Sequence, residues 1–173
     1  MAKTLPIHEL EFLRISANHR EFARKVATLG FQGADIDAFA KQVCEAWFRL
    51  GEAHLSEARA LIKAAVPRAT LSRAYYAAYN ASKAARYLVQ GFVSLKGDDH
   101  GKASTELPSD FPDVANWARR MTTLYENRLR ADYDNWSNTT SQFSLTPDAA
   151  IREAEDFIQE VRGYLNTKYG MQL

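Results

Sequence analysis

Apolar residues recur at three- and four-residue spacing along most of the chain, a pattern that predicts helices and no strands. The first periodic run is IHELEFLRISANHREFARKVATL, Ile7 to Leu29, with Gly30 and Gly33 behind it as stops. Asp35 is placed to cap a second, longer helix running through AFAKQVCEAWFRLGEAHLSEARALIKAA to about Ala65, in which Gly51 is a tolerated weak point and Pro67 the terminator. Pro67 or Thr70 starts a third, LSRAYYAAYNASKAARYLVQ, closed by Gly91. The stretch SLKGDDHGKASTELPSDFPD is too rich in Gly, Pro, Ser and Asp for regular structure and is expected to be the one long loop. A fourth helix runs from about Pro112 to Tyr133, a Ser/Asn/Thr turn follows, and Thr146-Pro147-Asp148 opens a last amphipathic helix to about Tyr169. The fold expected is all-α: an up-and-down bundle of four to five helices, residues 34–173, with residues 1–33 as an extra N-terminal helical extension.

The faces of two of these helices carry candidate chemistry. With about 100° between successive residues, Leu71, Ala74, Tyr75, Ala78, Ser82, Ala85 and Val89 share a face of small side chains that admits a close neighbour. That face is expected in the core. Arg73, Tyr76, Asn80, Lys83 and Tyr87 fall opposite, on an aromatic and basic face that either packs against the N-terminal helix or a second subunit, or binds a ligand. On the fourth helix, Trp117, Met121, Leu124, Tyr125, Arg128, Asp132 and Trp136 form one stripe, so Arg128 and Asp132 point inward. Two readings of that pair stay open. They neutralise one another, because an unpaired buried charge is costly, or the stripe opens into a cleft where the guanidinium and the Tyr133 phenol meet a phosphate.

Composition narrows the class. With 173 residues, 46% of them hydrophobic, the chain is one globular domain able to bury a sizeable core. A net charge of +1 points to no partner, but the charges are segregated: Arg59, Lys63, Arg68, Arg73, Lys83, Arg86 and Lys96 occur without an intervening acid, whereas Asp148, Glu153, Glu155, Asp156 and Glu160 cluster near the end. One face is therefore expected to be basic, either balanced by the acidic helix or open to phosphate. Cys44 has no disulfide partner and stands beside Trp47 as a buried thiol would, and no Cys/His spacing suits a metal. A cytoplasmic protein without metal or cofactor is expected. MAKTLPIHEL lacks an apolar run of signal-peptide length, and no stretch approaches the roughly 20 apolar residues of a membrane span, so no membrane association is expected. Gly-rich phosphate loops, nucleophile elbows, HExxH and paired Glu-x-x-His motifs are all absent. His8, His19 and His54 lie on helices without a neighbouring nucleophile and are read as structural.

SRAYYAAYNASKAARYL on one helix, a His-bearing loop KGDDHGKAS, and RLRADYDNW ahead of a final amphipathic helix together resemble the HEPN superfamily, in its small stand-alone prokaryotic branch, over roughly Phe39 to Tyr169. The resemblance implies an all-α bundle and a homodimer that apposes the C-terminal ends of the fourth helix, bringing Tyr125, Tyr133 and Trp136 to the interface. It implies action on RNA or nucleotides in a toxin–antitoxin or phage-defence system, beside a nucleotidyltransferase-like or other defence-system partner. Many relatives are metal-independent endoribonucleases whose motif is an Arg followed four to six residues later by a His. Arg128 matches the Arg, Tyr133 stands where the shortest spacing puts the His, and no His follows His100. Attack by a ribose 2′-hydroxyl needs a proton carrier of near-neutral pKa, which a Tyr near 10 is not. If the loop folds back over the fourth helix, His100, Arg128, Asp132 and Tyr133 form a catalytic site, with Arg73, Lys83, Arg86, Tyr76, Lys96 and Lys102 binding RNA or nucleotide. The alternatives are a His100 that is merely exposed or capping, and a bundle that serves as a dimerisation and assembly scaffold.

Overall fold

The computed structural model describes residues 17–94, 97–135 and 143–173, and these form six helices. They are α1 (His19–Ala27), α2 (Gly33–Lys63), α3 (Pro67–Gln90), α4 (Asp99–Thr105), α5 (Val114–Tyr133) and α6 (Pro147–Tyr169). The expected all-α bundle is present, with four long helices, a short one between the third and fourth predicted helices, and a short N-terminal one. The start of the first predicted helix, Ile7 to Ser16, and the Ser/Asn/Thr turn lie outside the described residues.

α3 is the centre, packed against α2, α5 and α6. Cys44 meets Ala84, Gly51 meets Ala77 and His54 meets Tyr76, so α2 and α3 run antiparallel. The six alanines 74, 77, 78, 81, 84 and 85 have no exposed surface at all. With no side chain beyond Cβ, they let three neighbours approach α3 at once. This corrects the two-faced reading: Asn80, Lys83 and Tyr87 are buried too, so α3 has no open basic side along that stretch. Gly51 is likewise no weak point. A Cβ there would stand 2.8 Å from the Ala77 carbonyl oxygen, so the glycine permits a close approach of α2 to α3.

Local signals set the boundaries. α2 begins two residues before the expected cap: Gln32 is the N-cap, and Asp35 accepts a 3.1 Å hydrogen bond from the Gln32 N–H as the third helical residue, completing a capping box. Pro67 occupies the first turn of α3, and Gly91 ends it in the left-handed conformation at φ 74°. Thr146 caps α6 through its hydroxyl, which accepts from the Ala149 N–H at 3.1 Å. The segment expected to be an irregular loop instead contains α4, held by tertiary bonds that composition does not reveal. α1 packs through Phe22 and Val26 on Phe39 of α2, a cluster separate from the main core. The Ala17 carbonyl also accepts from the Val93 N–H at 2.9 Å. No described helix is long and apolar enough to cross a membrane.

Candidate functional site

Tyr75, Tyr76 and Tyr79 lie along one side of α3, and α4 is fastened against them. The fastener is Asp99, which has no exposed surface. Arg86 grips its carboxylate with both terminal nitrogens, at 3.0 and 2.7 Å, and the Tyr79 hydroxyl donates at 2.9 Å. The Ser94 N–H donates at 3.3 Å, and Lys83 Nζ stands 3.8 Å away. Lys83 also donates to the Tyr79 oxygen at 3.2 Å and lies over the Trp47 ring. Burial alone would push the Asp99 carboxyl up. The Arg86 guanidinium, with Lys83 and the Tyr79 hydroxyl, outweighs that and holds it below the usual carboxylate range. A second clasp, Ser82 Oγ donating to the Ala103 carbonyl at 2.8 Å, secures the other end of α4.

Once Asp99 is fixed, the next residue, His100, is delivered into the tyrosines. Its Nδ1 is 2.9 Å from the Tyr75 hydroxyl, and its ring stacks on Tyr79 at 4.6 Å between centroids and 30° between planes. Tyr76 meets it edge-on and Tyr125 of α5 lies nearly parallel. Burial, then the nearby Arg128 charge, then Lys83, outweigh Asp99 and lower the His100 pKa, so the imidazole is neutral at pH 7. Burial pushes the Tyr75 phenol upward, with Tyr79 and Tyr125 adding to the shift, so it stays protonated.

Arg128 comes to the same place from α5 and is 8% exposed. One terminal nitrogen donates to the Tyr76 hydroxyl at 2.9 Å. Its Nε lies 2.8 Å from Asp132 Oδ2, off the N–H direction, so the contact is an ion pair without an aligned hydrogen bond. The inward Arg128–Asp132 pair is present, and Asp132 also accepts from Ser72 at 3.4 Å. Tyr133 is 70% exposed, its ring 5.2 Å from the Arg128 guanidinium carbon. Arg68 of α3 ties down this end of α5 by donating to the carbonyls of Ala131, Arg130 and Asp134 at 2.8, 3.1 and 2.6 Å. The C-terminal pole of a helix favours a cation there.

The catalytic candidates form one chain of contacts: His100 and Arg128 both touch Tyr76, and Asp132 and Tyr133 both lie against Arg128. The RNA-binding candidates divide. Arg73 is half-exposed and paired with Glu57 at 3.2 Å, and Tyr76 is half-buried inside the cluster. Lys102 is half-buried, 5.8 Å from the Phe92 ring, and Lys96 is outside the described residues. Arg86, 1% exposed, and Lys83 do not lie on an open face, because both are committed to the buried Asp99 carboxylate. Sequence reasoning missed Asp99, Tyr75, Tyr79 and Tyr125 as neighbours of His100. The spacing of Tyr75 and Tyr79, with Tyr76 beside them, was the available signal.

An all-helical bundle with an arginine, a histidine and tyrosines gathered between its central helix and the next long one is the class defined so far. The HEPN domain family matches residues 44–168, and the chain belongs to that family. No curated protein sequence matches it.

Proposed function

We propose that this HEPN domain is a metal-independent endoribonuclease acting in a prokaryotic toxin–antitoxin or phage-defence system as a homodimer, with His100 serving in place of the missing motif histidine. The observation that carries the reading is the seat of His100: hydrogen-bonded to Tyr75, kept neutral at pH 7, and close enough to Arg128 to feel its charge. A neutral imidazole can accept the 2′-hydroxyl proton, and a nearby guanidinium can hold the phosphate whose charge grows during attack. The 2′ oxygen forms a bond to phosphorus as its proton passes to His100, the bond to the 5′ oxygen breaks and that oxygen takes up a proton, and the products are a 2′,3′-cyclic phosphate and a 5′-hydroxyl. Tyr133, exposed beside Arg128, would meet the RNA, with Arg73 and Lys102 extending the contact. In this reading residues 34–173 carry the activity, and the N-terminal helix serves a partner such as a nucleotidyltransferase-like protein.

The test is cleavage of a mixed RNA pool in EDTA by the wild type, Arg128→Ala and His100→Ala, each verified as folded by circular dichroism. Cleavage with cyclic-phosphate ends, lost at least about 100-fold in both variants, is expected. Undiminished cleavage by His100→Ala refutes the role given to it. A second reading, a dimerisation and assembly scaffold, is favoured by the burial of Arg86 and Lys83, which removes two cations from the basic surface. It predicts no cleavage by any of the three proteins.

A further inference from the structure

His54 reaches the same tyrosine from α2. Its ring centroid is 5.7 Å from that of Tyr76, and the His100 ring is 5.8 Å from Tyr76. Only 15% of the His54 side chain is exposed, and its Nδ1 is addressed by two groups. Glu57 Oε2 is 3.2 Å away and Arg73 Nη1 is 3.3 Å away, with Arg73 Nε also paired to Glu57 at 3.2 Å. Glu57 and Arg73 thus both engage Nδ1, and Nε2 is the nitrogen left open. Only the imidazolium form of such a ring, its Nδ1–H accepted by Glu57, carries an Nε2 proton that it can give. His100 Nδ1 is likewise engaged, 2.9 Å from the Tyr75 hydroxyl, so Nε2 is the nitrogen that it too leaves open.

We propose that His54 is the second proton-transfer group of this site, giving its Nε2 proton to the departing 5′ oxygen of RNA while His100 takes the proton of the attacking 2′-hydroxyl. This rests on the ribonuclease reading above. One proton leaves the 2′-oxygen for His100 and one passes from His54 to the 5′-oxygen as the bond from phosphorus to the 2′-oxygen forms and that to the 5′-oxygen breaks, so no outside reagent is needed. Exchange with water restores both rings. The ionisable groups facing His54 are Glu57 on its own helix and Arg73 and Tyr76 on α3, with Arg128 of α5 bonded to Tyr76. α6 meets α2 through Arg162 with Glu52 and Glu155 with Arg59.

The test compares two substrates that differ only in their need for an acid. RNA leaves as an alkoxide and requires protonation, whereas uridine 3′-(4-nitrophenyl phosphate) releases a stable phenolate and does not. For His54→Ala the expected result is a loss of about 100-fold or more in kcat/KM on RNA, the low end of what an acid contributes, with the nitrophenyl ester turned over at nearly the wild-type rate. His100→Ala should lose both. Equal losses on the two substrates by His54→Ala mean a structural residue and overturn the proposal, as does an unchanged rate on RNA. If neither substrate is turned over by the wild type, the ribonuclease reading fails and carries this proposal with it, an outcome distinct from equal losses. Should His54→Ala not fold, the wild-type pH profiles decide. The falling alkaline limb of kcat/KM must be present with RNA and absent with the nitrophenyl ester, and a falling limb with both overturns the assignment.

Discussion

Replacing Asp99 by Asn removes one charge from the most enclosed ion pair described and keeps the shape. Arg86, 1% exposed, then stays buried with no carboxylate, and Lys83 loses its nearest anion. Breaking a buried pair from one side costs about 3–5 kcal/mol. In a domain of this size each kcal/mol lowers Tm by roughly 2–4 °C, so Asp99→Asn should melt about 6–20 °C below the wild type. The assay is thermal unfolding followed by circular dichroism at pH 7, with urea titration to obtain the free energy. A double replacement, Arg86→Met with Asp99→Leu, should recover much of the loss, since apolar groups of similar volume often replace a buried pair at little cost. The pH dependence has a definite direction. The folded carboxyl is depressed, so its contribution is full above the unfolded value of about 3.9 and disappears as pH falls through the lower folded value. Wild type should therefore weaken below about pH 4, and Asp99→Asn should show less of that decline. A loss under about 1 kcal/mol at pH 7 would refute the reasoning, because that is what an exposed pair contributes.

Two further substitutions separate packing from propensity. Gly51→Ala should destabilise by about 1–3 kcal/mol, because the new methyl meets the Ala77 carbonyl oxygen; the gain of roughly 1 kcal/mol from helix propensity alone has the opposite sign, so urea unfolding decides between them. Arg68→Ala removes three hydrogen bonds from the C-terminal end of α5 and should cost about 1.5–3 kcal/mol, with faster amide hydrogen exchange confined to that end; protection equal to wild type would contradict the capping role.

The long helices were legible because each carries its own punctuation: Pro67 and Gly91 bracket α3, and Thr146-Pro147 opens α6. The inward Arg128–Asp132 pair was legible for the same reason, since four residues on a helix share a face. α4 was not. Seven residues with one glycine among them and another just before make a poor helix by propensity, and what holds them is the carboxylate of Asp99 against Arg86, Tyr79 and Ser94. No periodicity encodes a bond between residues 13 positions apart on different helices. The same limit misplaced Lys83 and Arg86. A charged residue on a helical wheel reads as solvated, and only the arrival of Asp99 from outside that helix makes its burial affordable.

The composition of the site follows from that burial. Where the central helix of the bundle is enclosed by its neighbours, a cation can enter only if an anion comes with it, and a carboxylate brought by a neighbouring segment fixes that segment's register. Asp99 therefore does more than neutralise Arg86: it determines which way the following residue points. Because His100 follows it directly on α4, the buried pair and the orientation of the imidazole are one structural fact. The histidine supplied by α4 meets Arg128 from α5 across Tyr76, so in the ribonuclease reading proposed above the proton carrier and the phosphate-binding cation need not lie four to six residues apart on one helix. What the chemistry requires is their proximity in space, and on this chain proximity comes through a contact between helices that no spacing motif describes.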